Sequence, residues 1–201
     1  MKKIKVLSSS VGYDLAAKDY DKKESYLNSF ETDKLLPLLG DLDGKKVLDV
    51  GAGTGRLTLK LAKAGAEVVA LDVSEEMLKR IMNYESRIKV VIGDAEDLPF
   101  PNESFDFVTA AFLVVHLKDL ERFFDEVYRV LKPNGKFLVT NINQKEPPEV
   151  NTKEGIIKIE SYYHRPEKVV EELEKLAFNI EKEEFVKENE VWINQIILAS
   201  K

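Results

Sequence analysis

The stretch Val47-Leu48-Asp49-Val50-Gly51-Ala52-Gly53-Thr54-Gly55-Arg56 constrains this chain more than any other. An apolar run of strand length breaks at Gly51, Gly53 and Gly55, and an apolar pattern of helical period follows at Leu57, Leu61 and Ala64, closed by Gly65. The unit reads as buried strand, tight turn and helix, with the turn stripped of side chains. Glycines there permit positive φ and a close backbone approach to a ligand, and the free N–H groups of the helix start attract polar or anionic groups. Such a turn suits a nucleotide-like cofactor.

Spacing decides between cofactors. A dinucleotide fingerprint is G-x-G-x-x-G, whose third glycine lets the helix pack beneath a pyrophosphate. Here Arg56 occupies that third place and the extra glycine falls one residue early, at Gly55. The pattern from Asp49 to Gly55 is D-x-G-x-G-x-G. With it the chain resembles the class I S-adenosylmethionine-dependent methyltransferases, in particular the small-molecule "methyltransferase type 11" group that includes ubiquinone and menaquinone biosynthesis enzymes. The same residues, together with Gly93-Asp94-Ala95, disfavour a rival reading as an NAD-type oxidoreductase.

Further segments follow in an order that extends the resemblance. Glu67 to Asp72 is a second buried strand ending in a carboxylate, which in a doubly wound sheet lies across the crevice from the glycine turn, in reach of a ribose. Ser74 is the better N-cap for the helix Glu75 to Met82. Ile88 to Gly93 is a third strand and Ser104 to Phe112 a fourth with its exit. No [DNS]-P-P-[YF] stretch stands at that exit, which argues against methylation of a base's exocyclic amine. Leu120, Phe123, Phe124, Val127, Val130 and Leu131 mark an amphipathic helix, Pro133-Asn134-Gly135 ends it, and Lys136 to Ile142 is a fifth strand. Pro166 opens a helix, and Asn179 to Lys187 and Val191 to Ala199 form a closing hairpin. Ahead of the glycine turn, Glu24 to Leu39 reads as one helix, and residues 143 to 164 as a polar connection too long for a mere turn.

The resemblance implies roles residue by residue. Gly51, Ala52, Gly53 and Gly55 would cradle the amino-acid end of S-adenosylmethionine through backbone groups, with Asp49 also in the cofactor site. Asp72 would take the ribose, Val73 and Met77 would flank the adenine, and Asp94 and Ala95 would read its edge. Tyr20, in the repeat Tyr13-Asp14 and Tyr20-Asp21, and Ala111 complete the cofactor site. His116 lies where many relatives carry a histidine near the reacting methyl and is the catalytic candidate. Tyr13, Tyr163 and His164 are expected in the substrate pocket.

Composition narrows the rest. A length of 201 residues suits one α/β domain. The expectation is a Rossmann-like doubly wound sheet of seven mostly parallel strands with an antiparallel C-terminal strand and helices on both faces. Residues 1–43 would form an N-terminal helical cap, 44–142 the cofactor-binding core, and 143–201 the substrate-side connection, helix and hairpin. Cysteine is absent, which removes disulfides, thiol nucleophiles and thiolate metal sites, and no metal is expected. The net charge of −6 opposes a nucleic-acid footprint. No stretch has signal-peptide or membrane-spanning length, so a cytoplasmic monomer or homodimer is expected. Charged residues at 33% without cysteine suggest a thermophilic source.

The function expected is transfer of a methyl group from S-adenosylmethionine, leaving S-adenosylhomocysteine, to a nucleophilic atom of a small molecule. The alternatives are a non-catalytic S-adenosylmethionine-binding partner protein and an RNA or protein methyltransferase. The cofactor is already a strong methyl donor, so the protein mainly has to align the nucleophile and exclude water. Where the acceptor loses a proton, His116, His164, Tyr13 and Tyr20 are the candidate bases.

Overall fold

In the computed structural model, which describes residues 4–31, 33–81, 87–153 and 155–201, the strand before the glycine turn lies near the middle of a seven-stranded sheet. In chain order the strands of this sheet are β2 (Lys46–Val50), β3 (Glu67–Asp72), β4 (Ile88–Ile92), β5 (Phe105–Ala110), β6 (Leu131–Ile142), β9 (Asn179–Glu188) and β10 (Val191–Ser200). Their spatial order is β4-β3-β2-β5-β6-β10-β9. The first five run parallel, while β10 is antiparallel to both β6 and β9. The order reverses between β2 and β5, so the crevice expected at a topological switch point opens at the carboxyl end of β2.

Both faces of the sheet are covered, which explains strands that read as continuous apolar runs instead of alternating ones. Successive residues of β2 face opposite layers. Leu48 packs with α6 (Leu120–Val130) and α7 (Pro166–Lys175) through Phe123, Phe124, Val127, Val169 and Leu173. Val47 packs with α3 (Leu35–Leu39) and α4 (Arg56–Lys63) through Leu35, Leu39, Leu57 and Leu61. The short α5 (Glu75–Leu78) is capped by Ser74, whose hydroxyl accepts from the Met77 N–H at 3.2 Å. The helix is shorter than the span expected from Glu75 to Met82: it ends at Leu78 and Lys79 to Ile81 form a turn, while Met82 lies outside the described residues. The edge strand β9 carries Glu181, Lys182, Glu183, Glu184 and Lys187, charges that discourage pairing with another edge.

Three further expectations are corrected. Glu24 to Leu39 is two helices, α2 (Glu24–Ser29) and α3, not one. Pro37 cannot sit inside a continuous helix without losing a hydrogen bond and clashing with the preceding turn, but it is tolerated in the first turn of α3. Glu31, in the break, is turned inward and buried; Thr32 lies outside the described residues.

The connection 143–164 contains a hairpin, β7 (Glu149–Thr152) and β8 (Gly155–Ile159), and β8 pairs in parallel with an N-terminal strand, β1 (Lys5–Leu7). The segment is therefore part of a second, three-stranded sheet. Helix α1 (Ser9–Tyr20) packs against that sheet, with Gly12 so close to Ile159 that a Cβ would lie 2.8 Å from its side chain. Finally, β6 begins at Leu131, ahead of the expected Lys136, because Leu131 already pairs with Phe105 before the ladder shifts register.

Candidate active site

The glycine turn does three different jobs. Gly51 (φ 71°) and Gly55 (φ 92°) occupy the left-handed region with neighbours against them: an added Cβ would lie 3.0 Å from Leu113 at Gly51 and 2.9 Å from Ile81 at Gly55. Gly53 (φ 56°) is left-handed too, but nothing lies within 4 Å of where its Cβ would be. Gly53 is thus the residue whose bare face looks onto open space.

That space is a cleft in two adjoining parts. One is lined by Tyr13, Tyr20, Asp72, Val73, Met77, Ala95 and His116, with Gly51 and Gly53. The other runs behind the turn past Asp49, Ala52, Thr54 and Arg56, and shares Tyr20, Gly51, Gly53, Ala111 and Phe112 with the first.

Asp72, at the end of β3, is the carboxylate of the first part and is almost fully buried. One of its oxygens accepts from the Gly53 N–H at 2.8 Å and the other from the Ser74 N–H at 2.9 Å. A carboxylate offers about four acceptor positions, so each oxygen keeps capacity for a further donor. Burial raises its pKa, against the opposing backbone N–H bonds.

Asp49 is different. Its two oxygens accept from the hydroxyls of Thr58 (2.6 Å) and Thr109 (2.7 Å), and burial pushes its pKa up to about 6 against those bonds. Arg56, at the first position of α4, is held by Glu31 through two bonds of 2.5 and 2.8 Å and stands over the Phe112 ring, 5.1 Å from its centre.

At the other end of the cleft, Tyr13 on α1 meets His116, the last residue of a 3₁₀ turn at Val114–His116. The Tyr13 hydroxyl is 2.7 Å from His116 Nε2, and His116 Nδ1 is 2.9 Å from the Glu160 carbonyl. Tyr20 stands edge-on to Tyr13 at 5.8 Å, and burial pushes its pKa up to about 12. Tyr13 is raised well above its ordinary value by burial, then by Tyr20 and Asp72.

Twelve of the sequence candidates therefore share the cleft: Tyr13, Tyr20, Asp49, Gly51, Ala52, Gly53, Asp72, Val73, Met77, Ala95, Ala111 and His116. Four do not line it. Gly55 is packed on Ile81. Asp94 is exposed, and its Oδ1 accepts from the Glu96 N–H at 2.9 Å, an ordinary turn. Tyr163 sits among Trp192 and Lys145, and His164 donates from Nε2 to the Leu117 carbonyl at 2.8 Å.

Sequence reasoning missed Ser9, Arg56, Gly93, Phe112 and Leu113 as lining residues. Arg56 had been noticed only as the residue that spoils a dinucleotide fingerprint. Phe112 gives a signal only in structure, a non-glycine φ of 60°, with its N–H bonded to the Thr140 hydroxyl at 2.9 Å.

Comparison with known proteins places the chain among methyltransferase-like sequences and folds. Residues 48–139 match the model of a family described as a methyltransferase domain. A demethylmenaquinone methyltransferase of Clavibacter sepedonicus is 35% identical over 149 residues, covering 70% of this chain and 60% of that protein. A ubiquinone/menaquinone biosynthesis C-methyltransferase of Rickettsia prowazekii (strain Madrid E) is 36% identical over 124 residues, covering 56% and 47%. The matched region thus spans about half to three-fifths of these curated relatives.

Among solved structures, a protein of Pyrococcus horikoshii OT3 is 25% identical with a TM-score of 0.72, covering 92% of this chain and 94% of that one. The magnesium protoporphyrin IX methyltransferase of Synechocystis PCC 6803, solved with bound SAH, shares the fold with a TM-score of 0.72 at 17% identity, covering 96% and 94%.

Proposed function

We propose that the chain is a class I S-adenosylmethionine-dependent methyltransferase that transfers a methyl group to a small-molecule acceptor, a reading supported by the methyltransferase-domain match over residues 48–139 and by the curated relatives. The observation that carries this reading is the pairing of the Asp72 carboxylate with the bare face of Gly53 at the mouth of an apolar slot.

The residues present fit the cofactor's chemistry. Asp72 keeps acceptor positions for two vicinal hydroxyls. Leu71, Val73, Met77 and Ala95 give a flat apolar group its walls, and Gly53 lets a ligand come against the backbone. The part behind the turn, lined by Gly51, Ala52, Gly53 and Thr54, offers main-chain groups to an amino-acid end, while Asp49 and Arg56 there are already paired, with Thr58 and Thr109 and with Glu31. Because Asp94 is engaged in a turn, Gly93 and Ala95 rather than the Asp94 side chain would read the adenine edge.

The bound cofactor supplies an electrophilic methyl group on a sulfonium. What this chain contributes is placement: α1 roofs the cleft with Tyr13 and Tyr20, and Leu113, Phe112 and Ala111 floor it at the exit of β5. Holding an acceptor in line there can contribute on the order of 7 to 11 kcal/mol. The relatives are named for menaquinone and ubiquinone, which supports a planar, largely apolar acceptor.

Incubation with isotopically labelled S-adenosylmethionine and a panel of phenols, hydroquinones and amines tests the reading. Label is expected in a small-molecule product. Binding of the cofactor with no transfer to any member would favour a partner protein that binds it without catalysis.

A further inference from the structure

The Tyr13–His116 contact says more than that two side chains meet. The Glu160 carbonyl can only accept, so His116 Nδ1 carries the imidazole proton and Nε2 holds the lone pair. The Tyr13 hydroxyl must then donate to Nε2. Both ring nitrogens are thereby engaged, and neither is left for a molecule in the cleft. The Tyr13 hydroxyl, donating its hydrogen to the histidine, keeps its lone pairs for an incoming donor, and Tyr13 lines the cleft. Backbone bonds hold the arrangement in place: the Glu160 N–H donates to the Leu7 carbonyl (2.8 Å) and the Tyr162 N–H to the Val115 carbonyl (2.7 Å), so β1 and the segment after β8 fix the carbonyl that sets the tautomer.

Resting on the methyl-transfer reading above, we propose that Tyr13 is the catalytic residue that receives the acceptor's proton, that His116 is the positioning base behind it, and that the acceptor is a hydroxylated aromatic ring. A tyrosine–histidine relay serves an acceptor that must give up an O–H proton to attack, as a phenol or hydroquinone does. A free amine needs no base to attack. The remaining walls, Tyr20, Phe112 and Leu113, suit a flat apolar ring.

The step balances. The acceptor O–H breaks, its proton goes to the Tyr13 oxygen, and the Tyr13 proton passes to Nε2, leaving an imidazolium. The acceptor's electron pair bonds the methyl carbon, at the oxygen or at a ring carbon conjugated with it, and the sulfur–carbon pair returns to sulfur. Reaction at carbon first gives the keto form, whose C–H proton moves to oxygen to restore the ring. One positive charge leaves the sulfonium and one appears on the imidazole. Burial holds the His116 pKa below its ordinary value, opposed by the Glu160 carbonyl, so the lone pair is available at neutral pH. The titratable groups around the pair are Tyr20 on α1, Asp72 at the end of β3, and Glu160, whose side chain accepts from the Tyr162 hydroxyl at 2.6 Å.

The chain has two histidines, so nitrogen-edited NMR of its imidazoles can assign each. His116 is expected as the Nδ1–H tautomer, with a Nε2 resonance that moves in Tyr13→Phe; a Nε2–H tautomer overturns the inference. With 1,4-naphthohydroquinone as acceptor, kcat/KM of the wild-type protein should fall as pH drops through the His116 pKa. Tyr13→Phe should lower kcat by about 100-fold or more and flatten that acid limb, with S-adenosylhomocysteine affinity unchanged. A Tyr13→Phe protein with full kcat, or no transfer to this acceptor while S-adenosylhomocysteine still binds, overturns the inference and leaves the cofactor reading standing. Loss of S-adenosylhomocysteine binding by the wild-type protein would overturn both.

Discussion

Asp49 and Asp72 lie on neighbouring strands, and their surroundings give them opposite tasks. Asp72 keeps acceptor capacity toward the cleft, so removing it should be felt by the ligand. Asp72→Ala is expected to weaken S-adenosylhomocysteine binding by about 2 to 4 kcal/mol, since hydrogen bonds to a charged group contribute about 1.5 to 3 kcal/mol each. Calorimetry on the folded variant checks this, and an unchanged dissociation constant contradicts the ribose role.

Asp49 spends its oxygens on Thr58 and Thr109 and should be felt by the fold. Its folded pKa of about 6 lies above the ordinary 3.8. Between those values the folded chain holds a proton that the unfolded chain has released, so the stability this group contributes is full below the lower value and is lost as pH rises through the higher one. Asn cannot lose that proton. Asp49→Asn should therefore gain on the wild-type protein by up to about 3 kcal/mol between pH 4 and pH 7, the two-unit shift converted to free energy. Melting temperatures of both proteins across that range test it, because every other carboxylate cancels in the difference. A constant difference would contradict it.

At the scale of elements, the question is what fastens the N-terminal segments over the core. Two contacts lend themselves to a test. Arg56 opens α4, where a cation faces the positive end of the helix dipole, and Glu31 from the α2–α3 break neutralises it with almost no solvent access to either side chain. Glu31→Ala leaves that guanidinium buried without its partner, and the expected cost is about 3 to 5 kcal/mol in denaturant unfolding. A loss below about 1 kcal/mol would mean that the pair is as replaceable as a surface one.

The second contact is Gly12 against Ile159. Gly12→Val should push α1 off the three-stranded sheet, costing about 1 to 3 kcal/mol, and should weaken cofactor binding as well, since Tyr13 and Tyr20 ride on the same helix. Stability lost with binding untouched would show that α1 is not part of the cleft roof.

Across the whole molecule, the parts legible in the sequence were those in which each local signal agrees with the fold. The strand-glycine-helix unit, the acid ending β3 and the closing hairpin all rest on apolar runs bounded by turn residues, and the parallel order follows from them. The three-stranded sheet was not legible. Its strands are short, and what pairs β1 with β8 is a contact across some 150 residues that no periodicity within either segment announces. Pro37 is a local signal against one long helix from Glu24 to Leu39, and the structure obeys it.

In the cleft, residues fixed by backbone position could be placed from sequence: Gly51, Gly53, Asp72 and Met77. Those whose placement depends on a side chain's competing partners could not. Asp94 has a nearer donor in its own turn, and His164 finds the Leu117 carbonyl.

The central claim is that this glycine turn and its facing carboxylate hold S-adenosylmethionine and not a dinucleotide. Isothermal calorimetry of the cofactor-stripped protein against S-adenosylmethionine, S-adenosylhomocysteine and NAD, each titrated separately, tests it most directly. Micromolar binding of the first two with no heat from NAD is the expected result, whereas binding of NAD alone would contradict the account from the glycine turn upward.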